Sequence, residues 1–211
     1  NAGVILMLYP EAIQNLINCY KKLPGIGEKT AERMALFSLD LDRETIDLFA
    51  ESLVSIKENI KKCKKCNNFT DKDICSICSD QERDNKTICV VEEPKNVFQF
   101  EKIGSFNGVY HVLDGLISPL DNINPEDINI ASLIKKVDEE NVKEIIIAVK
   151  PSIEGETTAL YISKILENKD VIISKIAHGV PIGADMDYVD ALTLEMALED
   201  RKIIPSKNST E

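Results

Sequence analysis

The sequence predicts an α/β protein in which a helical N-terminal region and a small metal-binding module precede a mostly parallel β-sheet flanked by helices. Apolar residues at helical spacing, two CxxC pairs and later short β-branched runs support this order. We place the helical region at 1–60, the metal module at 61–84, the α/β domain at 85–180 and a C-terminal tail with a helix at 181–211.

The composition is that of an ordinary globular protein, with 44% hydrophobic and 29% charged residues among 211. No stretch approaches the roughly 20 apolar residues that a membrane span needs. Val4 to Leu8 is too short for a signal-peptide core, and we interpret Asn1-Ala2 as a cloning remnant. Six cysteines without a secretion signal favour a reducing cytosol over a disulfide framework.

The net charge of −11 is unevenly distributed along the chain. Residues 1–65 carry a net charge of +1, whereas residues 66–211 carry −12. The distribution matters more than the sum, because a polyanion responds to the local field. A phosphate-binding surface is therefore expected in the first part of the chain.

The first predicted helix begins after Pro10 and carries apolar residues at positions 13, 16, 17 and 20. A break follows at residues 23–27, where Gly25 and Gly27 can adopt positive φ without steric cost. Helical character then resumes from residue 28 to 39. Helix, GxG turn and helix form the helix-hairpin-helix arrangement, in which backbone N–H groups face a DNA phosphate.

Two cations follow this turn. Lys29 and Arg33 are four residues apart, so they share one face of the second helix and can contact the DNA backbone independently of base sequence. We therefore predict DNA binding through Lys29, Arg33, Gly25 and Gly27. Further basic residues lie nearby at positions 21, 22, 61, 62, 64 and 65. The alternative is that the turn only joins two packed helices and that the cations are solvated.

A third helix is predicted before the first CxxC pair. Its apolar residues recur in steps of three and four, at Ile46, Phe49, Leu53, Ile56 and Ile60. This spacing keeps them on one face, so we expect an amphipathic helix.

The two CxxC pairs predict a metal site. Cys63, Cys66, Cys75 and Cys78 provide four thiolates at a spacing that suits one tetrahedral Zn²⁺ ion, with an iron–sulfur cluster as the alternative. A site made of four protein thiolates has no open position for chemistry, so we expect it to be structural. The other two cysteines, Cys19 and Cys89, fall in apolar patterns and are expected to be buried.

The second half of the chain has the pattern of a parallel sheet. Four short β-branched runs, at 88–91, 109–113, 145–149 and 171–173, alternate with helical segments around Phe98, Leu133 and Leu160. The chain has only two histidines, His111 within a strand run and His178 before a glycine, and they are far apart in the sequence, which argues against a catalytic or metal-binding role for either. We predict no catalytic residue.

Carboxylates follow two of these strands, which is where α/β sheets keep their sites. Glu92 follows the first strand, and Glu154 and Glu156 follow a later one in the run KPSIEGE. This arrangement resembles the topoisomerase–primase (Toprim) fold, whose catalytic members hold Mg²⁺ with a Glu, an Asp-x-Asp and a Glu-Gly-Glu run. Here Lys150 and Ser152 stand at the two aspartate positions.

Taken in order, these parts resemble the bacterial RecR family of recombination mediators. The resemblance covers residues 9–203 and includes LPGIGEKTAER, CKKC, CSIC, ICVVEEP, GVYHVLDGLISPLD, PSIEGETTALYI and KIAHGVPIGADMDYVDALTLEMALEDR. It implies a non-enzymatic, cytoplasmic and nucleoid-associated protein that binds gapped DNA. It also implies assembly into a dimer and a tetrameric ring through the N- and C-terminal regions.

The resemblance further implies partners. The ring would act with RecO and RecF to load the recombinase RecA onto gapped DNA coated with single-strand-binding protein. RecO would dock on the acidic Toprim face, at Glu92, Glu154 and Glu156 or their neighbours. Two other functions stay open: a metal-dependent Toprim nuclease or primase-like enzyme, and an RNA-binding zinc-knuckle protein.

Overall fold

A computed structural model describes residues 9–177 and 179–202 of the chain, so His178 and both termini lie outside the described residues. The chain divides into two compact units, one ending at Ile60 and the other beginning at Lys61. Among the described residues, no helix combines the length and the apolar character needed to cross a membrane.

The first unit consists of three helices, namely α1 (Glu11–Tyr20), α2 (Glu28–Phe37) and α3 (Arg43–Asn59). Its small core lies between α1 and α2, where Ile17 packs on Ala31 and Ala35. The two alanines lie one helical turn apart, and their short side chains let the helices approach closely. Cys19 is exposed, contrary to the expectation, because it falls off the face of α1 that carries Ile17.

Helix α3 has the predicted apolar stripe but buries none of it. Its N-cap Asp42 accepts a hydrogen bond from the Thr45 N–H at 2.7 Å, which fixes the start of the helix. Phe49, Leu53 and Ile56 are 51%, 55% and 60% exposed, and no residue of α3 is buried. The stripe is therefore an apolar surface that its own unit leaves in contact with solvent.

The second unit begins with the metal module, which has a short hairpin and one turn of helix. Strands β1 (Lys61–Lys62) and β2 (Phe69–Thr70) pair antiparallel, and α4 (Ser76–Ser79) follows. The rest of the unit alternates strands and helices, in the order β3 (Asp84–Val91), α5 (Pro94–Ile103), β4 (Gly108–Val112), α6 (Ile130–Glu139), β5 (Glu144–Ala148), α7 (Ile153–Ile165), β6 (Ile172–Lys175) and α8 (Ala191–Glu199).

Strands β3 to β6 form one parallel sheet in the order β4-β3-β5-β6, as the predicted α/β class requires. Alternation along the central strand β3 divides the core. Ile88 and Val90 face a cluster that contains residues of α6 and α7, whereas Cys89 and Val91 face a cluster that contains Val97 of α5. Because both faces are covered, the strands read as continuous apolar runs.

Candidate DNA-binding hairpin, zinc centre and carboxylate edge

The hairpin turn leaves the start of α2 without a side-chain cap. Gly25 has φ +77°, a left-handed conformation that glycine adopts without a Cβ clash, and the turn closes with the Ile26 N–H donating to the Leu23 carbonyl at 3.2 Å. Gly27 is the N-cap and has no side chain to accept from the first helical N–H groups. The first backbone N–H groups of α2 and the positive end of its dipole therefore favour binding of an anion at the start of this helix.

Lys29 and Arg33 are two cations near the start of α2. Both are exposed, and within the described part of the chain neither has a hydrogen-bond or ion-pair partner. Lys21, by contrast, pairs with Glu28 in the first turn of α2. The uncapped start of α2, Lys29 in its first turn and Arg33 in its second turn therefore belong to one helix.

The four CxxC cysteines come together as a tetrahedral Zn²⁺ site requires. Their Sγ atoms all lie within 4.8 Å of one another, and Cys66 Sγ is 3.6 Å from Cys75 Sγ. Four sulfurs at about 2.3 Å from a Zn²⁺ ion would lie roughly 3.8 Å apart, so the donor set fits one ion. Cys63, Cys66 and Cys75 are buried, and Cys78 is partly exposed.

The local backbone prepares this site for anionic sulfur. Cys75 Sγ accepts from the Cys78 N–H at 3.5 Å, and Cys63 Sγ accepts from the Cys75 N–H at 3.3 Å. Hydrogen bonds from the thiols of Cys66 and then Cys78 lower the pKa of Cys75. The contact with Cys75 raises the pKa of Cys66, and the contacts with Cys66 and then Cys75 raise the pKa of Cys78. Zn²⁺ binds thiolates, so binding of the ion is coupled to release of the protons that remain on these cysteines.

The metal module is attached to the end of β4 in its own unit. The Val112 N–H donates to the Cys66 carbonyl at 2.9 Å, so the last residue of β4 is hydrogen-bonded to a residue of the predicted metal site. Lys62 Nζ lies 2.7 Å from an Asp114 carboxylate oxygen, and Asn67 Nδ2 donates to the same carboxylate at 3.3 Å. Asn67 and Asp114 both have positive φ, which marks two tight turns that meet here.

The carboxyl ends of β3 and β5 bring the predicted acidic residues to one edge of the sheet. Val91 of β3 pairs with Ala148 of β5, so Glu92 and the 150–156 segment follow neighbouring strands. Lys150 Nζ is 3.4 Å from a Glu92 carboxylate oxygen. Glu154 accepts from the Ser152 hydroxyl at 2.6 Å, and this hydrogen bond is the main reason that its pKa is lowered.

A residue that the sequence reasoning missed also reaches this edge. Lys175 ends β6, and its Nζ lies 3.0 Å from both carboxylate oxygens of Glu156. Lys175 follows the last β-branched run of the sequence. Because the carboxyl ends of parallel strands share one edge, this position could have predicted that Lys175 reaches the carboxylate edge. The contacts of Asp114 with the metal module had no such signal, since they join residues 52 and 47 positions apart.

Comparison with known families divides the chain into four matched regions. Residues 13–57 match a model described as the RecR helix-hairpin-helix, and residues 60–80 match the RecR zinc finger domain with four cysteine ligands. Residues 86–177 match the Toprim domain, and residues 179–202 match the RecR C-terminal region. The matches follow each other along the chain in this order and together extend over most of it.

Proposed function

The chain belongs to the RecR family, and on that premise we propose that it is a recombination mediator that forms a ring-shaped clamp and helps to load RecA onto gapped single-stranded DNA. The domain architecture is that of a DNA-binding protein of recombinational repair with one structural zinc. Members of this family are in general non-enzymatic mediators despite their Toprim domain.

The observation that carries the proposed DNA contact is the uncapped start of α2 together with two cations that have no counter-ion among residues 9–177 and 179–202. A phosphate at this position would accept from backbone N–H groups, and the charges of Lys29 and Arg33 would strengthen the contact. Such a contact is independent of base sequence, which suits a protein that must act wherever a gap forms.

We expect Lys29→Ala with Arg33→Ala to abolish retention on gapped duplex while leaving the fold intact. In fluorescence anisotropy titrations the slope of log K against log salt should fall by roughly 0.7 to 0.9 for each phosphate that the variant no longer binds. The matched control is Arg43→Ala with Lys57→Ala, which removes the same charge from α3 of the same unit. Unchanged binding of the first double variant would remove the hairpin from the mechanism.

Assembly is proposed to use the exposed apolar surfaces of both units. In the first unit this is the stripe of α3, and in the second it is the C-terminal segment, where Tyr188, Leu192 and Leu198 are exposed. The amount of apolar surface that these segments leave in water supports association with further copies of the chain, since monomeric proteins rarely keep such surfaces. A dimer and a tetrameric ring are the proposed forms.

The proposed partners RecO and RecF would recognise protein surfaces outside the hairpin. RecO is proposed to dock on the Toprim edge through Glu92, Glu154 and Glu156, whose unit carries −8 of the net charge of −11. Charge complementarity of this kind gives specificity and a faster association rate more than raw affinity.

We expect the triple variant Glu92→Gln, Glu154→Gln and Glu156→Gln to slow RecO association in surface plasmon resonance and to flatten its salt dependence. DNA binding by the hairpin should be unchanged. The control is Glu126→Gln with Asp138→Asn and Glu139→Gln, which removes equal charge from α6 and the loop before it. Equal rates for both triple variants would exclude a docking role for the edge.

A further inference from the structure

The cation that catalytic Toprim domains hold at this edge has a protein substitute here. Lys150 directly follows β5, and its ammonium group lies 3.4 Å from the Glu92 carboxylate at the end of β3. The Glu92 side chain is only 19% exposed, so this ion pair is less screened than a fully solvated one. A Mg²⁺ ligand at position 150 would be an anion, whereas the residue present repels a divalent cation.

The backbone holds Lys150 in this place. A Cβ on Gly155 would lie 2.0 Å from the Lys150 carbonyl oxygen, so the first turn of α7 packs directly on the peptide of Lys150. Ser152 is the N-cap of α7, and its Oγ accepts from the Gly155 N–H at 3.2 Å. The segment that presents Lys150 is therefore anchored by the helix that follows it.

The neighbouring carboxylates of Glu154 and Glu156 also have partners within the protein. Both oxygens of Glu156 contact the Lys175 ammonium group, and Glu154 is held by the Ser152 hydroxyl. The charge of Lys150 also helps to lower the pKa of Glu154, after the hydrogen bond from Ser152. In the part of the chain that the structure describes, only the four cysteines bring three or more ligand atoms close enough for a metal ion. The edge therefore does not fit the Mg²⁺ site that its fold implies.

We propose that Lys150 and Lys175 replace the divalent cation of catalytic Toprim domains, so that the carboxylate edge is neutralised by lysine and independent of Mg²⁺ and Mn²⁺. The conformation of the edge and the positions of its acidic residues would then be the same with and without a divalent cation. This inference concerns the chemistry of the edge itself and holds whether or not RecO docks there.

The test is a Mn²⁺ titration of the zinc-loaded full chain, followed by electron paramagnetic resonance of free Mn²⁺. Wild type should leave the free signal unchanged. Lys150→Asp with Ser152→Asp should bind one equivalent of Mn²⁺ at least about tenfold more tightly than wild type, which corresponds to roughly 1.4 kcal/mol. Lys143→Ala is the control for removal of a cation, because it breaks an equivalent ion pair with Asp170 at the opposite end of the sheet. It should behave as wild type does.

Two results would overturn the proposal. One is a Mn²⁺ ion bound by the wild type and absent from Glu92→Gln, which would show that the edge accepts a metal despite Lys150. The other is a folded Lys150→Asp, Ser152→Asp variant that binds Mn²⁺ no better than wild type, because the lysine would then not be the group that excludes the ion. Circular dichroism and zinc content establish that each variant is folded.

Discussion

At the residue scale, His111 is a titratable side chain buried within the sheet. It lies on β4 with no exposed surface, and its Nε2–H donates to the Asn129 carbonyl at 2.7 Å. Its Nδ1 is buried without a hydrogen-bond partner among the described residues. Burial, followed by the charge of Lys136 on α6, lowers the pKa of His111 to about 4. Native His111 therefore stays neutral at moderately acidic pH.

This predicts that the chain loses stability as the pH falls from the unfolded-state pKa of 6.5 towards 4. Over that range the unfolded state takes up a proton that the native state refuses, so the free energy of unfolding decreases, by up to about 3 kcal/mol. Above pH 6.5 the contribution is complete. Urea unfolding at several pH values measures it.

The comparison variant is His111→Gln, whose side-chain amide can still donate to the Asn129 carbonyl but does not titrate in this range. Its free energy of unfolding should decrease less between pH 6.5 and 4 than that of wild type. Carboxylates and zinc release affect both proteins, and zinc content is followed in parallel. Identical pH dependence in the two proteins would assign the acid sensitivity to other groups.

Residue types at the sites were predictable, but their partners were not. The two CxxC pairs define four ligands because the spacing itself is chemical information. The partners of Glu92 and Glu156 depend on which strand ends meet, and no spacing in the sequence encodes the pairing of Glu156 with Lys175. Cys19 was wrongly expected to be buried because an apolar neighbourhood in the sequence does not fix the helix face.

At the element scale, the metal module acts on β4 through one backbone hydrogen bond. The Val112 N–H, at the end of this strand, donates to the carbonyl of Cys66, a predicted zinc ligand. The module also contributes Ile77 to the cluster on the α5 face of the sheet. Zinc, by holding Cys66, stabilises the end of a strand as well as its own loops.

We predict that zinc chelation increases hydrogen–deuterium exchange of the Val112 amide by about fivefold or more, because one hydrogen bond contributes roughly 1 kcal/mol. The amide of Ile145, in the central strand β5, serves as the internal control and should stay protected. Cys66→Ser should reproduce the effect without chelator. Uniform loss of protection across the sheet would mean that the module stabilises the whole unit and not this strand end.

The positions of helices and strands were predicted better than the residues that pack against them. All three N-terminal helices and the four strands of the sheet occur where the apolar spacing places them, since periodicity reports which face is apolar. Periodicity does not report what covers that face. The stripe of α3 has the spacing of a core-facing helix and yet is exposed, because no described residue of its own unit covers it.

At the scale of the whole molecule, charge and assembly explain how an acidic protein can bind DNA. Residues 66–211 carry a net charge of −12 and residues 1–65 carry +1, but the unit that contains the hairpin carries −3, because the lysines at 61, 62, 64 and 65 belong to the second unit. The sign of the field at the hairpin is therefore set by its nearest cations. At 0.1 M salt, charges farther than about 10 Å from a phosphate are largely screened. Binding by each subunit should be weak, and several hairpins in one ring would add their contacts through effective concentration.

The proposed ring predicts retention on circular gapped DNA and release after linearisation, because a closed clamp slides off free ends. Leu53→Glu should reduce the mass measured by light scattering and remove this retention. Ser55→Glu is the control, since it adds the same charge to α3 away from the apolar stripe. Equal retention on circular and linear DNA would contradict a closed clamp.

The order of the strands in the sheet could not be predicted from the sequence. Alternating strands and helices predicted parallel pairing, but the order β4-β3-β5-β6 depends on where each crossover helix finds an apolar face to cover. In the same way, the division of the core by β3 follows from α5 packing opposite α6 and α7. Strand order and the division of the core are determined by packing between segments that are far apart in the chain.

The uncovered stripe of α3 has a kinetic and a cellular consequence. In the proposed assembly α3 gains burial from another copy of the chain and reaches its final stability in a second-order step, so the stability of the first unit should rise with protein concentration. Newly made chains at low copy number would present α3 to proteases and chaperones until they meet a partner. The abundance of this protein in the cell would then be set in part by how quickly subunits find each other.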